Sequence, residues 1–300
     1  MTLLSRRCVL AAAALGPVAL RAQAAGLPGT ITRHADVAGS GLLPRHIDVW
    51  RPDGSAGKPL PLLIMHDGQN LFDGAHAYGG QSWGVVEAVT SLVAAGTIAP
   101  IMIAGVWNSA QRWRDYVPAD LLARLPAAIR DRFTTEQQGE SLSPAYLGFL
   151  ADTVVPLLRR DYAVAPGRVA IMGSSMGGLA SLDALLLRPD VFGSAGCVST
   201  HWPILGPKPV ETPAISAAIA GYLDAHLGKP RGRKLWFDHG DQTLDAFYAP
   251  FQAVADARLA ANGWQSPRDT VSRAYPVAAH NEASWRQRVA DPLTFLFNTA

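Results

Sequence analysis

The sharpest chemical signal in the chain is a run of five residues, Gly173-Ser174-Ser175-Met176-Gly177. A serine hydroxyl attacks a carbonyl only when it is lifted clear of its surroundings, and a tight turn from strand to helix does this. Side chains two residues before and two after the serine would collide in such a turn, and this chain has Gly173 and Gly177 there. Gly178 extends the small surface and lets the following helix approach the sheet. The Met176 amide then stands at a helix N-terminus, where free N–H groups favour a developing oxyanion. A Gly-x-Ser-x-Gly pattern also arises by chance in glycine-containing loops. Here an apolar strand, Val169 to Met172, precedes it and a helical pattern, Met176 to Leu187, follows it. A dinucleotide-binding loop is the weaker reading, because the Gly-x-Gly opening is missing.

A nucleophilic serine needs a base, and on an elbow of this kind the order is Ser, acid, His. His201, His226, His239 and His280 follow Ser175. His226 falls near a helix end, and His239 closes a strand too early in that order. His280, in Val277-Ala278-Ala279-His280-Asn281-Glu282, follows the last expected strand and precedes the final helix. A loop there can hold an imidazole over the carboxyl edge of a sheet, so His280 is the expected base. His201 and Trp202, after the strand that follows the nucleophile helix, are candidates for the substrate pocket, although core packing is the commoner fate of a tryptophan. The acid is expected in the loop after Phe237-Asp238-His239-Gly240, where Asp241 and Asp245 both lie. Spacing leaves the two open. A second oxyanion donor is expected from the loop after the apolar run Leu60 to Met65. His66, Asp67, Asp73 and His76 follow no recognised metal spacing, so neither metal nor other cofactor is expected.

These groups must be held by a scaffold, and the chain alternates strand and helix patterns as an α/β sheet does. Arg45 to Trp50 alternates as a strand after the turn Gly39-Ser40-Gly41, and Leu60 to Met65 is a second strand. Trp83 to Ala95 has helical periodicity, and Ala99 to Trp107 is another strand. A long polar connection is expected from Arg112 to about Ser143, followed by a helix from Pro144 to about Arg160. Arg112 and Arg114 are candidates for an anionic substrate group or for surface pairing with Asp115. Strands are expected at Ser194 to Ser199, Leu235 to Phe237 and Thr270 to Tyr275, with helices over Ala246 to Ala261 and most of Asn281 to Phe297. The basic run Lys229 to Lys234 reads as a solvated loop. The expected architecture is a mostly parallel central sheet with helices on both faces, in one catalytic domain over residues 25–300.

Five stretches together resemble a known family. They are His66-Asp67-Gly68-Gln69-Asn70-Leu71-Phe72; Arg114-Asp115-Tyr116 with Pro118; the Ser175 elbow; Gly240 with Thr243-Leu244-Asp245; and His280-Asn281-Glu282 with Trp285. In them the chain is similar to the putative-esterase family of α/β hydrolases, which includes esterase D, enterochelin esterases, feruloyl esterase domains and mycolyltransferases. The resemblance implies the α/β-hydrolase fold and ester hydrolysis through an acyl-enzyme on Ser175. It also implies Asp245 as the triad acid and the Gln69 amide as the oxyanion partner of Met176. An acyltransferase would use the same acyl-enzyme, and a fold that has lost catalysis could only bind. The ester itself is left open among siderophore trilactones, feruloylated or acetylated sugars and simple acyl esters.

The start of the chain points to export. Ser5-Arg6-Arg7-Cys8-Val9-Leu10 has the twin-arginine form, an apolar stretch runs from Val9 to Leu20, and Ala22-Gln23-Ala24 suits cleavage. The apolar stretch is too short to span a bilayer comfortably. Residues 1–24 are therefore expected to be a cleaved signal, giving a periplasmic or secreted protein without stable membrane insertion. Of 26 Lys and Arg residues, Arg6, Arg7 and Arg21 lie in that segment, which has no acidic residue, so 23 remain against 24 Asp and Glu. A nearly neutral protein has no general attraction to nucleic acid. The expected partner is a small-molecule or glycan-linked ester. Cys197 is the one cysteine beyond the signal, and its apolar neighbours Ala195, Gly196 and Val198 suggest a packing role.

Overall fold

The computed structural model describes residues 27–206 and 211–298, together with the backbone of Leu20 and Arg21. The twin-arginine motif, Cys8 and the Ala22-Gln23-Ala24 site lie outside the described residues. Among the described residues nine strands form one sheet: β1 (Leu20–Arg21), β2 (Thr30–Gly39), β3 (Leu42–Arg51), β4 (Leu62–His66), β5 (Met102–Val106), β6 (Val169–Ser174), β7 (Phe192–Val198), β8 (Lys234–His239) and β9 (Thr270–Ala274). Their spatial order is β1-β2-β3-β5-β4-β6-β7-β8-β9. The pairs β1·β2, β2·β3 and β3·β5 are antiparallel, and every pair from β5 across to β9 is parallel.

The parallel part is covered on both faces, and the sequence shows why. Side chains alternate across a strand, so a strand buried on both sides must be apolar throughout. In β4, Leu62 and Ile64 join one buried cluster while Leu63 and Met65 join the other. In β6 the same split puts Val169 and Ile171 on one side, Ala170 and Met172 on the other. The first cluster is closed by helices Met176–Leu187, Thr212–His226 and Ala249–Ala261, through Leu179, Tyr222 and Phe251. The second is closed by helices Val85–Ala94 and Ala290–Phe297, through Val86 and Leu293. Cys197 is fully buried in the first.

Three expectations are corrected. The polar connection after Arg112 is largely helical, with short helices at Arg112–Tyr116, Ala119–Ala123 and Ala127–Glu136. Leu121, Leu125, Ile129 and Phe133 recur at steps of four and are all buried, which outweighs the charges and Pro126 between them. The helix expected from Pro144 runs Ser143–Asp161, with π-helical turns at Phe149–Val154 just before Pro156, whose ring nitrogen has no hydrogen to donate. The last helix is two, Glu282–Arg288 and Ala290–Phe297.

The chain enters the parallel sheet at β4, steps outward to β5, then crosses to β6 on the other side of β4. The loops leaving β4 and β6 therefore diverge at their carboxyl ends, and such a switch point opens a crevice where ligands bind in α/β sheets. His66 ends β4 and Ser174 ends β6.

Candidate active site

Ser175 occupies the junction between β6 and the helix Met176–Leu187 with φ 57° and ψ −122°. A non-glycine residue in that region is strained by ~1–3 kcal/mol and persists only where its surroundings hold it. Here the Ser175 N–H donates to the Val198 carbonyl at 2.9 Å, and its carbonyl accepts from Gly178 and His201 N–H, each at 3.0 Å. Neighbouring β7 and its following loop thus clamp the turn. A Cβ on Gly173 would stand 2.9 Å from the Gly177 carbonyl carbon and 2.9 Å from His66 Cδ2. Space, rather than a special dihedral, demands glycine at that position. Met176 is the first helical residue, and the first N–H groups of a helix have no acceptor within it.

The loop after β4 approaches from the other side of the crevice. Asp67 adopts a left-handed conformation, φ 55° and ψ 47°, which opens a short 3₁₀ turn Gly68–Asn70. Gly68 packs directly on the Gly105 backbone of β5, leaving no room for a side chain. Asp67 is held by Arg112, whose Nε and Nη2 donate to its two oxygens at 2.7 Å each, and by Asn108 Nδ2 at 2.7 Å. Burial alone would raise the Asp67 carboxyl, but the Arg112 charge and these hydrogen bonds bring it below its ordinary value. Gln69 Oε1 accepts from the Asn108 N–H at 3.2 Å, so the loop carrying the Gln69 amide is tied down at both ends.

The loops after β8 and β9 meet beside Ser175. His280 Nδ1 lies 2.6 Å from Asp245 Oδ1, and the His280 N–H donates to Thr243 Oγ1 at 2.8 Å. Asp241 is exposed and its carboxylate accepts the Val277 N–H at 2.8 Å instead. Asp245 is fully buried and its second oxygen accepts from Ser199 Oγ and the Gly240 N–H, each at 2.6 Å. Desolvation pushes this carboxyl up, yet the His280 contact and these donors outweigh it and hold it below the usual aspartate value. Ser199 is in turn bonded by Arg288 Nη2 at 2.7 Å and Trp285 Nε1 at 3.0 Å, and Arg288 is neutralised by buried Asp238 at 2.9 Å. Ser199, Arg288 and Asp238 form a buried polar chain behind Asp245 that no sequence pattern announces. Its members come from three segments far apart in the chain.

Ser175, His280, Gln69, Trp113, Glu282 and Trp285 are among the residues lining a cavity of ≈ 620 Å³ at the crevice mouth. His201 and Trp202, the expected pocket residues, do not line it. Trp202 is 1% exposed, packs against Phe237 and donates its Nε1 to Gln252 Oε1 at 3.1 Å. His201 is buried, with its Nδ1 2.6 Å from the Tyr248 hydroxyl and its ring edge-on to Trp113 and His280. Burial, with His280 and Arg112 nearby, lowers its pKa to about 3, so it is neutral. Tryptophans 113 and 285 take the pocket place expected of Trp202. Arg112 and Arg114 do not pair with Asp115; that buried carboxylate accepts from Arg45 Nη1 at 3.1 Å, while Arg114 donates to the Glu140 carbonyl at 2.8 Å. Among the described residues no group of three or more His, Cys, Asp or Glu is arranged to hold a metal ion. No helix among the described residues is long and apolar enough to cross a membrane.

A family model described as Putative esterase matches residues 43–295. A ferri-bacillibactin esterase of Bacillus subtilis is 33% identical over 96 residues, 31% of this chain and 32% of that protein. An iron(III) salmochelin esterase of Escherichia coli is 22% identical over 261 residues, 84% of this chain and 54% of the other. This chain therefore spans about a third to about a half of the length of these curated relatives. Among solved structures, an IroE-like serine hydrolase from Shewanella oneidensis has the same fold, with a TM-score of 0.63 at 16% identity, covering 89% of this chain and 80% of that one. The architecture is the α/β-hydrolase fold.

Proposed function

From the premise that this chain belongs to the putative esterase family, we propose that it is a serine esterase in which Ser175 is the nucleophile, His280 the base, Asp245 the acid, and the amides of Gln69 and Met176 the oxyanion hole. The observation that carries this reading is the 2.6 Å contact of Asp245 with His280, in a cavity that both His280 and the strained Ser175 line.

The reaction is acyl transfer in two halves. His280 Nε2 takes the Ser175 proton as Oγ attacks the ester carbonyl, and the buried Asp245 carboxylate orients the ring through Nδ1 and stabilises the imidazolium. The carbonyl oxygen becomes an oxyanion held by two fixed N–H groups, which need no reorganisation as charge develops. His280 then protonates the leaving alcohol. Water, deprotonated by the same imidazole, attacks the acyl-enzyme and releases the acid. We read residues 25–300 as one catalytic domain and residues 1–24 as a cleaved twin-arginine signal, which puts the enzyme in the periplasm or outside the cell. The resulting substrate class is a small-molecule or glycan-linked ester.

A fluorophosphonate probe tests this directly. The folded protein is expected to be labelled at Ser175, with 4-nitrophenyl acetate hydrolysis lost in step and both absent in Ser175→Ala. Labelling elsewhere, or hydrolysis that survives in Ser175→Ala, would remove the serine mechanism.

A further inference from the structure

The cavity in front of Ser175 is lined by one carboxyl group, that of Glu282, with no ion-pair partner among the described residues. Among the described residues lining it, the acidic side chains and the arginine are Asp67, Glu282 and Arg112. Arg112 is committed to Asp67 by two hydrogen bonds of 2.7 Å, a bidentate geometry that uses the donor fork and cancels both charges. Glu282 has no such partner. Among the described residues no cation lies within ion-pair distance of its carboxylate, whose one side-chain hydrogen bond is from Asn70 Nδ2 at a long 3.4 Å. Glu282 is only 8% exposed, and it meets solvent through the cavity it lines. Its desolvation is the leading cause of its raised pKa. Its carboxylate also accepts a backbone N–H of its own helix turn, so its donors are neutral, and a donor or cation that enters the cavity adds the partner it lacks. Tyr78 is 80% exposed, and Tyr78 and Trp113 line the same space. Rings of this kind suit the apolar face of a sugar or an aryl group. The nearby His76 has its Nδ1 on Asp73 at 3.2 Å rather than on Glu282.

We propose that Glu282 makes this a site for esters that bring hydrogen-bond donors, either hydroxyl groups or a cation, and that it excludes esters with an anionic group beside the scissile bond. This rests on the esterase reading above. Glu282 acts on the substrate directly: its carboxylate accepts from a substrate hydroxyl or ammonium group and repels a carboxylate placed there. A like charge a few ångströms away in a partly desolvated cavity lowers affinity by about tenfold or more.

Three 4-nitrophenyl esters of matched chain length separate these cases: the neutral hexanoate, the anionic hemiadipate and the cationic 6-ammoniohexanoate. At low ionic strength the wild-type kcat/KM is expected to be at least about tenfold lower for the anionic ester than for either other ester. In Glu282→Gln the spread is expected to shrink to within about threefold. Equal rates on all three esters in the wild type would overturn the proposal, and so would a spread that Glu282→Gln leaves intact. A binding measurement that needs no turnover runs alongside. Hexylammonium and hexanoate are titrated into the wild-type protein and followed by the fluorescence of Trp113 and Trp285, and hexylammonium should bind at least about tenfold tighter. Retention of that preference with no ester hydrolysed would sink the esterase reading and leave the charge assignment standing. Hydrolysis with no preference in either assay would do the reverse.

Discussion

Asp241 and Asp245 sit four residues apart in one loop, and their surroundings give them different work. Asp241 is solvent-exposed and bonds a backbone amide, whereas Asp245 is buried and bonded to His280, Ser199 and Gly240. A carboxylate that orients an imidazole and stabilises its cation must be fixed and shielded from water, which only Asp245 is. Asp245→Asn is expected to lower kcat for 4-nitrophenyl acetate by about 10³- to 10⁴-fold, and Asp241→Asn by no more than about threefold. Steady-state kinetics of the two folded variants makes the comparison, and near-normal kcat in Asp245→Asn would reassign the acid. The spacing of the two residues said nothing on this, because both fall in the same stretch after β8. The family resemblance favoured Asp245, and burial supplies the physical reason.

The elbow works as an element because two segments hold it from outside. Val198 and His201 anchor the Ser175 backbone, and the Gly173 Cα hydrogens abut Gly177 and His66. Gly173→Ala therefore has to move either the β6-helix junction or a buried histidine, a form of overpacking that costs about 1–3 kcal/mol. Urea unfolding should show that loss as a lower midpoint with an unchanged slope. Activity should fall further than stability, because the displaced backbone carries both Ser175 and the Met176 amide. A variant as stable and active as wild type would mean the junction has slack that these contacts deny. The glycine spacing was legible from the sequence, since this turn demands it. The clamp from β7 was not, since it depends on which strand lies beside β6.

At the scale of the molecule, His66, His201 and Asp183, buried outside the proposed triad, contribute with opposite signs to how stability varies with pH. Desolvation lowers His66 to about 4 and His201 to about 3, so both are neutral in the fold and ordinary, near 6.5, when unfolded. Their contribution is complete above about pH 6.5 and is lost as pH falls from there towards 4. Asp183 has the opposite sign. Desolvation, opposed by the Tyr222 hydroxyl at 2.6 Å, raises it to about 6, so its contribution is complete below about pH 4 and lost as pH rises through 6. Two histidines outweigh one aspartate between pH 7 and 5, and these three groups together are expected to cost the fold about 2 kcal/mol over that interval. Asp183→Asn should raise stability at pH 7 and steepen the acid loss, because the opposing term is gone. Urea midpoints at pH 7 and 5 for both proteins check the two signs, and a wild type more stable at pH 5 than at 7 would contradict the balance.

The alternating apolar strands, the glycines around Ser175 and the order of Ser175, the loop after β8 and His280 were all readable along the chain, because each is a local requirement of spacing or periodicity. So was the α/β architecture, which follows from strand and helix patterns in succession. The helical character of the segment after Arg112 was obscured by its charges, although the steps of four from Leu121 to Phe133 mark it. Only the tertiary structure decided that Trp202 belongs to the core and Trp113 and Trp285 to the cavity, because which of these tryptophans is covered depends on neighbours from other segments, such as Phe237 and Gln252 around Trp202. It alone joined Ser199, Arg288 and Asp238 behind Asp245, and left Glu282 without a cation while giving Arg112 to Asp67. Those pairings arise where loops from distant strands converge at the carboxyl edge of the sheet. There the charge of a site is a sum over neighbours in space, which the order of residues along the chain does not contain.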